Sequence, residues 1–285
     1  MQIDPFFQVP QHPISTSVGQ VQLPVLLKEG DYCVSLFMVD RSKPKTDLAP
    51  LGMKPAWVLG KKAIVVLVMA DFTVCSVSPY RMISLSYPVV RQQGFQPVSP
   101  WREVFSEADE RHMGFYLASS HVDSVYMSKV GSEVWGHPKS HANIDYDLNG
   151  KHIHCTATCS ASGDNIMRFS GKGTRFFRIP SLNYTMFSVL KKQVKRALLN
   201  TRGMYDVHIP MGFKLEIGNA QHLMSQQMAN IGLNGKRPLI VLSTKQFQGR
   251  YHEGTVVEEI DTPLSEPNEP VASTAPRSKQ HSIYF

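Results

Sequence analysis

Cysteine is scarce in this chain, with 4 in 285 residues. Cys33, Cys75, Cys155 and Cys159 are too few and too scattered to form a disulfide framework, so a reducing, cytoplasmic setting is expected. Long hydrophobic runs are missing as well. The longest, residues 63–70, falls far short of the ~20 apolar residues of a membrane helix, and residues 1–13 lack a basic start followed by an apolar stretch. No membrane partner and no secretion are therefore expected. Internal repeats are absent, and Gly171-Lys172-Gly173 is too short for a phosphate loop. A net charge of +7 raises the question of nucleic acid. Its densest basic run, residues 191–196, carries no interleaved aromatic motif and reads as a solvated helix face, so no nucleic-acid partner is expected. A positive surface equally suits small anionic substrates.

What the chain does contain is apolar residues, 42% against 19% charged, enough to bury a sizeable core in one domain. Both ends are proline-punctuated without periodicity. Residues 1–24 read as an N-terminal extension and 261–285 as a flexible tail, leaving 25–260 as the domain. Between them β-rich runs recur at 32–39, 63–72, 82–90, 113–119, 143–148, 152–159, 165–170, 183–190, 213–218 and 238–244. Such a series with few helices predicts a closed barrel. The clearest hairpin spans 144–155, where Asn149-Gly150 supplies the two positive φ angles of a tight primed turn. Two helices are expected. One is capped by Ser120 and Asp123 and stops at Gly131; the other covers roughly 220–231.

The most informative segment is 131–142. In it Gly131, Glu133, Trp135, His137 and Pro138 lead into Lys139, Ser140 and His141. A lysine amine has an ordinary pKa near ~10.4 and is a poor nucleophile until burial or a neighbouring cation lowers it. Trp135 and Pro138 offer apolar walls, and Pro138 fixes a backbone angle beside the lysine. Gly131, Glu133, Pro138 and Lys139 match a Gly-x-Glu-x-x-x-x-Pro-Lys pattern, and Tyr80 matches the tyrosine of a Gly-x-Tyr-x-Glu segment. On these residues the chain resembles the acetoacetate decarboxylase superfamily over roughly 25–255. The resemblance implies an α+β, mostly β fold: an acetoacetate decarboxylase-like closed β-barrel with surrounding sheet and few helices. It also implies Schiff-base chemistry at Lys139 with Tyr80 and Glu133 as catalytic partners, a small-molecule keto substrate, no cofactor, and a homo-oligomer.

The chain departs from the family where charge is needed. The second lysine falls on Ser140, one glutamate on Met82, another on Leu67, and the substrate-binding arginine on Met38. Arg81, His137 and His141 are the candidates to stand in for the lost cation, and Met82, Leu67, Met38, Arg81, Trp135, His137 and Ser140 form the expected substrate-binding set. Three polar functions have become apolar, so acetoacetate itself is an unsuitable substrate. A larger keto compound undergoing aldol condensation, dehydration or cyclisation, as in specialised metabolism, fits better.

Two rival readings stand beside the lyase. One is a small-molecule binding protein that kept the fold without catalysis. The other is acid/base catalysis without an imine through His137, His141 or His154. The cluster His152, His154, Cys155 and Cys159 is not expected to bind metal. In a strand the histidines share one face, while the cysteines lie on the other about 13 Å apart.

Overall fold

The computed structural model describes residues 4–94, 96–97, 99–149, 152–218 and 222–260. The tail expected at 261–285 lies outside them. Residues 12–23 are not a structureless extension but a hairpin of β1 (His12–Thr16) and β2 (Gly19–Leu23). Val21 and Leu23, alternate residues on β2, are 1% and 0% exposed. Five-residue strands between prolines carry too little alternation to announce themselves in sequence.

The barrel wall follows as β3 (Val25–Asp40), α1 (Ser42–Leu48), β4 (Met53–Pro55), β5 (Val58–Leu59), β6 (Lys62–Cys75) and β7 (Tyr80–Arg91). β6 pairs antiparallel with both β3 and β7. Residues 63–70 are buried without interruption, because this strand is covered on both faces. Its even positions Val66, Val68 and Ala70 face one apolar core, and its odd positions Val65, Leu67 and Met69 face another.

Next come α2 (Pro100–Glu103), β8 (Met113–Val122), α3 (Val125–Trp135) and β9 (Lys139–Asn149). β8 and the start of β9 are parallel, with Ser120 opposite Lys139 and Val122 opposite His141. Parallel neighbours need a crossover, and α3 supplies it. The expected Ser120 cap is displaced: β8 continues through Val122, and Ser124 caps the helix by accepting from the Met127 amide. Gly131 does not end the helix. Gly136 does, with φ 70°; its N–H donates to the Ser132 carbonyl and the His137 N–H to the Gly131 carbonyl.

β9 then leaves the barrel for an outer sheet with β10 (His152–Cys159) and β11 (Asn165–Lys172). The expected hairpin is present, with Asn149 opposite His152, although Gly150 lies outside the described residues. Ala142, Ile144, Tyr146 and Leu148 are buried while the residues between them are exposed, as for a sheet solvated on one side. The chain continues through β12 (Thr174–Pro180), β13 (Tyr184–Leu190), β14 (Gln193–Arg202), β15 (Met204–Ile209), β16 (Lys214–Ile217), α4 (Leu223–Asn230), β17 (Ile240–Thr244), β18 (Gln248–Tyr251) and β19 (Thr255–Glu259). These strands complete a closed barrel, and β16 joins the outer sheet through β11. The basic run 191–196 is not a helix face. Lys191 and Lys192 form the β13–β14 turn at φ 50° and 65°, and the rest lies on β14.

Candidate active site

The barrel encloses a cavity of about 160 Å³, and strand alternation decides what faces it. From β3 come Tyr32, Val34 and Leu36; from β6, Val66 and Val68; from β7, Tyr80, Met82, Ser84 and Ser86. Trp135, His137 and Lys139 enter together from the end of α3 and the start of β9, and Tyr251 from β18.

The segment before Lys139 is tightly fixed. The His137 N–H donates to the Gly131 carbonyl at 3.1 Å, the Lys139 N–H to the His137 carbonyl at 2.7 Å, and the Ser128 hydroxyl to the Lys139 carbonyl at 3.2 Å. The lysine side chain runs back over α3 at Gly131, where a Cβ would meet Cδ, Cε and Nζ within 3 Å. Nζ lies 5.7 Å from the centroid of the Tyr80 ring. Burial lowers the Lys139 amine from its ordinary 10.5 to about 8. Among the described residues, the cavity lining contains no carboxylate and no second cation.

His137 is 5% exposed. Burial first, and the Lys139 charge second, hold it well below its ordinary value, so the ring is neutral. Its Nε2 lies 2.9 Å from the Tyr251 hydroxyl. Trp135 stacks on Tyr251 with ring centroids 4.5 Å apart and donates its indole N–H to the His252 carbonyl at 2.7 Å. Burial also raises the phenols of Tyr80 and Tyr251.

Of the residues singled out in sequence, the fold therefore brings Lys139, Tyr80, Met82, Trp135 and His137 to one cavity. It sends the others elsewhere. Glu133 is on the exposed side of α3, where it accepts from the backbone N–H and hydroxyl of Ser17 on the N-terminal hairpin. Leu67 is fully buried, but in the core between barrel and outer sheet. Met38 lies further along β3, opposite Ile64, past Leu36, the last residue of that strand to line the cavity. Arg81 points to the opposite face from Tyr80, paired with Asp71 at 3.0 Å and donating to the Ile144 carbonyl. Ser140 also faces away, with its hydroxyl 2.5 Å from His121 Nδ1. His121 is buried and held to about 3, by burial and then by His222.

No proposed stand-in for the lost cation fills that role. Arg81 is outside, His137 is neutral, and His141 sits 3.3 Å from the Asp123 carbonyl and does not line the cavity. Burial alone lowers the lysine. His152 is exposed and His154 contacts Thr156, both on the outer sheet. No group of three or more metal-ligating side chains occurs among the described residues.

Sequence reading missed Tyr251, Tyr32, Tyr184, Ser84 and Ser86. Ser84 and Ser86 had a readable signal, since they share the two-residue spacing of Tyr80 and Met82. Tyr251 had none, because its strand is short and the residue it pairs with on β3, Val25, lies more than 200 positions away in the chain.

No family model matches the chain, and no curated protein matches its sequence. Solved structures do. Acetoacetate decarboxylase from Legionella pneumophila superposes with a TM-score of 0.61 at 12% identity, over 89% of this chain and 93% of that one. The enduracididine biosynthesis enzyme MppR complexed with pyruvate gives 0.61 at 12%, over 87% and 99%. An acetoacetate decarboxylase-like enzyme from Sphingomonas wittichii RW1 gives 0.54 at 12%, over 90% and 98%. The fold is thus acetoacetate decarboxylase-like: mostly strands, few helices, and a closed barrel with further strands outside it.

Proposed function

We propose that the protein is a lyase-type enzyme that forms an imine between Lys139 and a keto substrate. One observation carries this reading: a lysine amine lowered by burial to about 8, in a cavity lined by neither acid nor second cation. At pH 7 about one such amine in ten is unprotonated, several hundredfold more than for an ordinary lysine near ~10.4, and no carboxylate among the described lining residues holds it as an ion pair. That a similarly folded enzyme is complexed with pyruvate supports a carbonyl substrate.

The lining also bears on which carbonyl compound. With no guanidinium and no second ammonium, a substrate carboxylate would have to be desolvated against tyrosine and serine hydroxyls alone, at considerable cost. We therefore assign a largely apolar ketone or aldehyde, and aldol, dehydration or cyclisation chemistry rather than decarboxylation of acetoacetate. A second reading, a binding protein without catalysis, draws support from the same absence of acidic groups. The proposal extends to a cytoplasmic location, in keeping with four free cysteines. It also extends to self-assembly, in keeping with Phe176 and Met211 at 69% and 81% exposure, which light scattering tests.

The deciding experiment is borohydride trapping across a panel of ketones and keto acids. Wild-type protein is expected to gain mass on a peptide containing Lys139, and Lys139→Ala to gain none. Ligand binding without any adduct would favour the binding protein.

A further inference from the structure

An imine by itself does nothing; a proton must then leave or arrive beside it. Among the described residues, no carboxylate lines the cavity to carry one. Among its lining residues, one side-chain pair joins a hydroxyl to a base, Tyr251 and His137, with the phenol oxygen 2.9 Å from Nε2.

We infer that Tyr251 and His137 form a proton relay that takes the α-proton from the Lys139 imine, which makes the substrate class an enolisable ketone or aldehyde. The inference rests on the imine reading. Both rings are held in place. Trp135 stacks against Tyr251 at 4.5 Å and lies 5.8 Å from His137, all three rings within 22° of parallel. The His137 amide is tied to the Gly131 carbonyl. Lys139 lies two residues after His137, so nucleophile and relay come from one turn of chain.

The step balances. The Lys139 ammonium gives up one proton to solvent; the freed amine adds to the carbonyl carbon, that proton is taken back, and the carbonyl oxygen leaves as water, giving a protonated C=N. The α-C–H electron pair then becomes a C=C bond while the C=N π pair moves onto nitrogen. The proton passes to the Tyr251 oxygen as that hydroxyl gives its own proton to His137 Nε2. One positive charge disappears from the imine and one appears on the imidazole, so the cavity's net charge does not change. This matters in an apolar space, where creating a new charge is expensive and moving one is less so.

For Nε2 to accept, the ring must carry its proton on Nδ1, and His137 Nδ1 is buried with no partner among the described residues. An imidazolium there lacks the second hydrogen bond that would stabilise it. The ring therefore accepts a proton transiently and returns it, as a relay must. The neutral state of His137 at working pH fits that role.

The test separates imine formation from proton removal. Cyclohexanone, a neutral enolisable ketone, is incubated with the full-length protein in D₂O, and α-deuteration is followed by NMR alongside borohydride trapping. Wild type is expected to exchange at least tenfold faster than Lys139→Ala. Tyr251→Phe should keep the Lys139 adduct and lose exchange tenfold or more. His137→Ala should do the same, with exchange restored by added imidazole. Wild-type exchange in Tyr251→Phe with the adduct intact would overturn the relay and leave the imine standing. Loss of adduct and exchange together in that variant would also overturn it, since Tyr251 would then serve imine formation. Absence of any adduct in wild type would remove the imine reading and the relay with it. Should His137→Ala fail to fold, Tyr251→Phe alone decides.

Discussion

Gly131 and Lys139 compete for one volume: a Cβ on Gly131 would stand 2.3 Å from Cδ and 2.9 Å from Nζ of Lys139. The glycine sits in α3, where alanine is intrinsically the better residue by roughly 0.5–1 kcal/mol. Its absent side chain is therefore explained by the lysine and not by the helix. Gly131→Ala is expected to melt close to wild type while Lys139 is pushed off its path, with borohydride trapping falling at least tenfold. An unchanged trapping rate would show that the lysine has another route into the cavity.

Acidity offers a second test. Trapping should rise with pH and reach half its maximum near the Lys139 value of about 8. Stability should move the other way in the lysine's absence. Below pH 8 the folded protein buries an ammonium that the unfolded chain keeps in water. Between about 8 and 10.5 only the folded form has shed the proton, so this cost declines and then vanishes. Lys139→Met should raise the melting temperature most at pH 7 and less at pH 10. A gain that grew with pH would contradict the assignment.

Deleting residues 1–23 removes Val21 and Leu23 from the core. At about 1.5–3 kcal/mol for each buried side chain, the two together reach only the low end of the roughly 5–15 kcal/mol that holds a domain folded, a large part of a marginal total. A fall of many degrees in thermal melting is expected, whereas Glu133→Ala, which severs only a surface tie to Ser17, should leave trapping within twofold of wild type.

Acetoacetate should be a poor substrate. Carbon dioxide release at a rate common among enzymes, on the order of 10 per second, would show that the apolar lining does accommodate a carboxylate.

The barrel was legible because its central strands are long and β-branched, and the outer sheet because residues 142–149 alternate cleanly. The lysine was legible because its surroundings are local: Gly131, Trp135, His137 and Pro138 all lie within eight positions of it. What failed was facing. Leu67 and Met38 were placed from alignment along strands buried on both sides, where composition gives no clue to which face is inward. Glu133 failed because a helix turns 100° per residue, so a glutamate between the inward-facing Val130, Val134 and Trp135 points out. The partner of His137 was invisible because Tyr251 is brought beside it by pairing between distant segments.

β9 begins as a member of one sheet and ends as a member of another. Lys139 stands at its first residue, while Ile144, Tyr146 and Leu148 further along anchor it in the outer layer. The strand is in effect a lever with the amine on its short arm. Substitutions in the outer layer, far from any substrate, can tilt that arm and change the angle at which the amine meets a carbonyl. Selection acting on such positions would retune the chemistry while every residue lining the cavity stayed the same.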